Sequence, residues 1–209
     1  MRLEEHHRRS TFNPEVLTPR MEAAKLLSYA FHPLVVTAFG FLAFCLVKGC
    51  PLYSFVFTEV FFALVPYLIT LYFRATGRAR SVMLEGREER LLPITLSLLS
   101  YLIGATLTYF WGPPYLLPVE LGYIASTVII LLTTLKFKVS VHVSVYSGFS
   151  SVLTFFASPY FALCYLLVPL VAWARLKLRV HTVLQVVAGL VIGAVISPLL
   201  VELWYSALG

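Results

Sequence analysis

Apolar residues in this chain fall in long runs, without the strict alternation of a half-buried strand or the polar face of a soluble helix. A bilayer-crossing helix needs roughly 20 mainly apolar residues, and runs of that kind cover residues 26–47, 52–73, 91–111, 115–135 and 182–204. The stretch 139–174 is too long for one helix, and Ser158-Pro159 near its middle is a turn signal that divides it into two shorter spans. The pattern therefore predicts an all-α fold, a polytopic transmembrane helical bundle of about seven spans.

Residues 1–25 form a polar segment of mixed charge, with Glu4, Glu5, His6, His7, Arg8 and Arg9 in close succession. It is too long a preamble for a cleavable signal peptide, so the first span is expected to stay as an anchor. No Ser/Gly linker, low-complexity stretch or repeat divides residues 26–209, which read as a single membrane domain. Composition agrees: 59% of the residues are apolar and 12% charged, with a mean hydropathy of +0.86, whereas soluble domains carry about 25% charged residues.

Charge sets the orientation. With seven spans, every Lys and Arg except Lys48 falls on the face that holds the N-terminus and the loops after spans two, four and six. Basic loops stay in the cytoplasm, so this face is expected to be cytoplasmic in a multi-pass protein of the cell membrane. The net charge of +6 follows from the same bias and gives no reason to invoke nucleic acid. Cys45, Cys50 and Cys164 lack metal-type spacing and suit packing better than a disulfide framework or zinc. The chain contains no aspartate, which argues against membrane enzymes that hold Mg²⁺ on Asp-rich motifs, such as intramembrane prenyltransferases and CDP-alcohol phosphotransferases.

Three loops on the basic face hold most of the chemically useful polar groups. They are Arg87-Glu88-Glu89-Arg90 leading to Pro93, Lys136-Phe137-Lys138-Val139-Ser140-Val141-His142, and Arg175 followed by His181 and Gln185. Guanidinium and ammonium groups match a phosphate in charge and geometry, and the two histidines supply a nucleophile and a general acid. His181 and Gln185 are four apart at the start of the last helix and share a face. The Gln185 carbonyl can then take the proton on one ring nitrogen of His181, leaving the other to attack. A helix N-terminus also turns its unpaired N–H groups toward a bound anion.

These residues resemble the type 2 phosphatidic acid phosphatase (PAP2) superfamily, whose motifs are Lys-x6-Arg-Pro, Pro-Ser-Gly-His and Ser-Arg-x5-His-x3-Asp. Ala174-Arg175-x5-His181-x3-Gln185 is similar to the third, with Ala for Ser and Gln for Asp; the dolichyl diphosphate phosphatase branch similarly has Gln there. Val139-Ser140-Val141-His142 keeps the Ser and His of the second motif. In the first, Arg90 stands for the Arg, Leu91 for the Pro and Met83 for the Lys, leaving Arg87 or Lys138 to supply that charge. The resemblance covers residues 80–195, and seven spans exceed the family's usual six.

The resemblance implies a metal-independent phosphatase that needs no cofactor and works through a phosphohistidine on a lipid phosphate or diphosphate, isoprenoid or glycerolipid. His181 would attack phosphorus and His142 would protonate the leaving oxygen, with Gln185 orienting His181. Arg87, Arg90, Lys138, Ser140 and Arg175 would bind the phosphate, while the substrate's tail stays in the bilayer. The alternative is a catalytically inactive PAP2-like protein that binds lipid phosphates. A transporter lacks a line of intramembrane charge between the faces. His32 reads as a packed or capping group, and Glu59 and Glu120, toward the opposite face, as structural acids. Beyond Gly189 and Gly193 the last helix shows no extended small-xxx-small stripe, and that pair suits packing within the bundle equally well, so oligomeric state is left open.

Overall fold

Proline opens several of the helices, where its fixed φ suits the first turn and its missing N–H costs nothing. The computed structural model describes residues 18–84 and 86–208, and all regular secondary structure among them is helical. In chain order the helices are α1 (Pro19–Ala30), α2 (Pro33–Lys48), α3 (Leu52–Ala75), α4 (Arg87–Trp111), α5 (Leu117–Thr134), α6 (Val141–Phe156), α7 (Pro159–Lys177) and α8 (Val183–Leu208). Of these, α3, α4, α5, α7 and α8 are long and apolar enough to cross a membrane. The break at Ser158-Pro159 falls where the turn signal predicts it.

The first predicted span needs correction. The apolar run 26–47 is not one helix, because the chain bends by 47° between α1 and α2. A helix is disfavoured at the residue before proline, and His32 precedes Pro33. Its ring accepts a hydrogen bond from the Leu34 N–H at 3.3 Å, capping α2. Helix α1 starts inside the segment expected to be polar tail and packs along the second half of α7. Residues 1–17, including the charged cluster at residues 4–9, lie outside the described residues.

Helix α6 has 16 residues, or about 24 Å of rise, which is short for a span. Every position from His142 to Leu153 is buried, enclosed by α2, α7 and α8. The α8 contact depends on two glycines. A Cβ on Gly189 would stand 2.5 Å from the Ser140 carbonyl oxygen, and one on Gly193 would stand 2.2 Å from that of Ser144. The small-residue pair is thus used within the bundle.

At mid-bundle, α2, α3, α4, α5 and α6 each contribute one ring to a shared aromatic cluster: Phe41, Phe62, Tyr101, Tyr123 and Phe149. Phe62 stacks on Tyr101 at 4.9 Å, and Phe41 meets Phe149 edge-on at 5.2 Å. Farther from the basic loops, buried Glu120 on α5 accepts hydrogen bonds from Thr58 on α3 at 2.7 Å and Thr108 on α4 at 3.1 Å. This is the structural pairing expected of it. Many large apolar side chains face outward, including Leu46, Leu68, Leu102, Phe110, Leu166 and Leu203. A soluble monomer rarely exposes apolar surface on this scale, whereas a bilayer solvates it.

Candidate phosphate-binding and nucleophile site

The N-termini of α4, α6 and α8, the C-terminus of α7 and the α1–α2 break supply one buried polar cluster. Arg90, one turn into α4, is 3% exposed, and its guanidinium donates to the Leu84 carbonyl at 2.5 Å and the Val139 carbonyl at 3.0 Å. It thereby ties the loop before α4 to the loop before α6. Lys138 donates to the Val180 carbonyl at 2.8 Å and joins the α5–α6 loop to the α7–α8 loop. Arg175 is 1% exposed near the end of α7, within electrostatic reach of both His142 and His181.

His181 sits between α7 and α8, buried. Its Nδ1 lies 3.0 Å from the Gln185 carbonyl oxygen, which also accepts the Thr182 N–H at 3.2 Å. An oxygen that accepts from a backbone N–H is an acceptor for the ring as well, so Nδ1 carries the proton and Nε2 holds the lone pair. Nε2 has no hydrogen-bond partner among the described residues. Burial, then the charges of Arg90, Arg175 and Lys138, lower the His181 pKa to about 3, opposed by the Gln185 hydrogen bond. The ring is therefore neutral at physiological pH. Thr182 and Gln185 also form a reciprocal capping box at the start of α8, a second role for Gln185 that the spacing to His181 does not announce.

Ser140 is the N-cap of α6, fully buried, and its N–H donates to the Gln185 backbone carbonyl at 3.1 Å. Its hydroxyl and Nε2 of His142 have no hydrogen-bond partner among the described residues. A helix start without cap hydrogen bonds, flanked by cations, is suited to an anion. His142 meets His32 edge-on with ring centroids 5.7 Å apart.

Arg90, Lys138, Ser140, His142, Arg175, His181 and Gln185 are thus brought together. Arg87 is not: it is exposed on the first turn of α4, and no hydrogen bond or ion pair among the described residues joins it to the cluster. Glu89 instead pairs with Arg80 at 3.4 Å and accepts the Arg80 N–H, holding the preceding loop against α4. Met83 lines the cavity beside Arg90. Sequence reasoning missed His32 as part of the site. The available signal was a histidine on the basic face at an X-Pro helix break, but only the tertiary fold sets it against His142. No protein-family model, curated protein or solved structure matches the chain.

Proposed function

We propose that this chain is an integral membrane lipid phosphate phosphatase of PAP2-like chemistry, hydrolysing a phosphomonoester or diphosphate through a phosphohistidine. The observation that carries this reading is His181: neutral, oriented through Nδ1 by Gln185, with Nε2 open inside a cluster of Arg90, Arg175 and Lys138. A buried neutral imidazole among cations has little structural value but suits attack on an anion.

In the first step the Nε2 lone pair forms the N–P bond as the P–O bond to the lipid breaks, and His142 transfers its proton to the leaving oxygen. Arg90, Arg175 and Lys138 neutralise charge on the equatorial oxygens, with Ser140 donating a hydrogen bond. In the second step His142 takes a proton from water, which attacks phosphorus and releases phosphate from His181. Gln185 keeps the ring tautomer fixed throughout but offers the developing imidazolium less than a carboxylate would.

In this reading the chain crosses the membrane seven times, with α1–α2 as a bent first span and α6 as a central buried one. The basic loops and the site then face the cytoplasm. One observation favours a binding-only relative instead: the group facing His181 Nδ1 is the uncharged Gln185, where a carboxylate would stabilise the imidazolium. Phosphate release from prenyl and glycerolipid phosphates, by purified protein in EDTA, separates the two. Turnover is expected, with a loss on the order of a thousandfold or more in His181→Ala. Absence of turnover on every lipid would leave the binding-only reading.

A further inference from the structure

Below the polar cluster, a slot runs into the interior of the bundle, bounded by residues of α2 to α6 and the loop before α4. Arg90 and His142 line one end and Tyr101 and Tyr123 the other. From Arg90 to Tyr101 the wall is three turns of α4, about 16 Å. We propose that this slot takes the hydrocarbon of a single-chain lipid phosphate, drawn out of the bilayer into the bundle, with its phosphate at Arg90 and His142. The inference rests on the lipid phosphate reading above and narrows its substrate class.

The chemistry of the walls supports an apolar occupant. Ile94, Ile130 and Val145 face the slot. Its hydroxyls bond to their own helices: Ser97 to the Pro93 carbonyl at 2.8 Å, Thr127 to that of Tyr123 at 2.8 Å, and Thr70 to that of Tyr67 at 2.8 Å. What these side chains offer the slot is therefore largely their carbon surface. The Tyr123 hydroxyl is paired with Thr37 at 2.9 Å, so the floor makes few polar demands either. A slot that is cationic at one end and hydrocarbon along its length matches an anion carried on one chain.

A second groove, on the outside between α2 and α3, is the competing place for a tail. It is lined by Val60, Leu64 and Tyr67 but also by Glu59 and Arg74, and neither Arg90 nor His142 lines it. His32, Leu34 and Val82 line both spaces, which adjoin there. A two-chain glycerolipid would have to lay its second chain in the outer groove beside Glu59 and Arg74, whereas one chain fits along the inner slot.

The test is photo-crosslinking of the full-length protein in detergent with a prenyl monophosphate carrying a diazirine near its chain end. Labelled peptides are mapped by mass spectrometry. Labelling of residues 97–101 or 123–127 is expected, displaced by single-chain prenyl or alkyl phosphates but not by phosphatidic acid. The stronger of the two displacers identifies the chain type. Thr127→Leu should lower labelling about tenfold by filling the slot. Labelling confined to residues 60–67, equal displacement by phosphatidic acid, or no labelling at all would overturn the proposal. Slot labelling without turnover would count against the phosphatase reading alone, and turnover without slot labelling against the slot alone.

Discussion

His181 is neutral because the ring is buried among three cations, and this has a consequence for stability as well as chemistry. The unfolded chain takes up the His181 proton near pH 6.5 and the folded chain only near 3. The unfolded state therefore binds more protons across that window, so the stabilisation is complete above pH 6.5 and is lost as pH falls toward 3. The melting temperature in detergent should fall between pH 7 and 4, and less steeply in His181→Phe; parallel slopes would show that the ring is not held neutral. Gln185 carries two roles at once. Gln185→Ala should lower kcat/KM about a hundredfold through a misoriented ring and cost about 1 kcal/mol through the lost cap. Unchanged kinetics would remove Gln185 from the mechanism. The His181–Gln185 pair was legible in the sequence because helical spacing makes it a local fact. The His32–His142 contact was not, since it joins the first helix break to the start of α6 through tertiary packing. Arg90 stood for the first motif's Arg and Arg87 was a further candidate for its missing Lys, and one helical turn separates the buried residue from the exposed one.

At the scale of elements, the contact between α6 and α8 holds the site together, because Ser140 and His142 ride on one helix and Gln185 on the other. Gly193→Ala places a Cβ against backbone that has no room to yield and should destabilise the protein by about 1–3 kcal/mol. A thermal shift assay that found no change would mean the helices are farther apart than described. Glu120 pins α5 to α3 and α4 through two threonine hydroxyls. Glu120→Gln keeps an acceptor and should be tolerated, while Glu120→Ala strands the Thr108 hydroxyl, leaves Thr58 only the Ser54 carbonyl at 3.0 Å and opens a cavity, and should cost about 2–3 kcal/mol. Equal stability of the two variants would contradict this account. Apolar run length revealed most of the helices and proline the break before α7. The bend at His32-Pro33 stayed hidden because the run continues through it, so hydropathy alone joined two helices that the backbone separates.

For the whole molecule, the charge bias and the candidate site fall at the same end of the bundle. Among the described residues, the basic loops that follow α3, α5 and α7 lie at the end of the bundle that holds His181, and Lys48, at the C-terminus of α2, lies at the other. With the natural cysteines replaced, Arg80→Cys should react with an impermeant thiol reagent only from the cytoplasmic side and Lys48→Cys only from outside; the reverse pattern would overturn the assigned orientation. The central claim is that phosphorus becomes bonded to His181, and the most direct measurement is to trap that bond. Purified protein is mixed with a ³²P-labelled lipid phosphate, quenched in alkali within milliseconds and digested, and the labelled peptide is identified. The account predicts acid-labile, alkali-stable label on the peptide containing His181, absent in His181→Ala. Release of labelled phosphate with no label on that peptide, at any quench time, would contradict it.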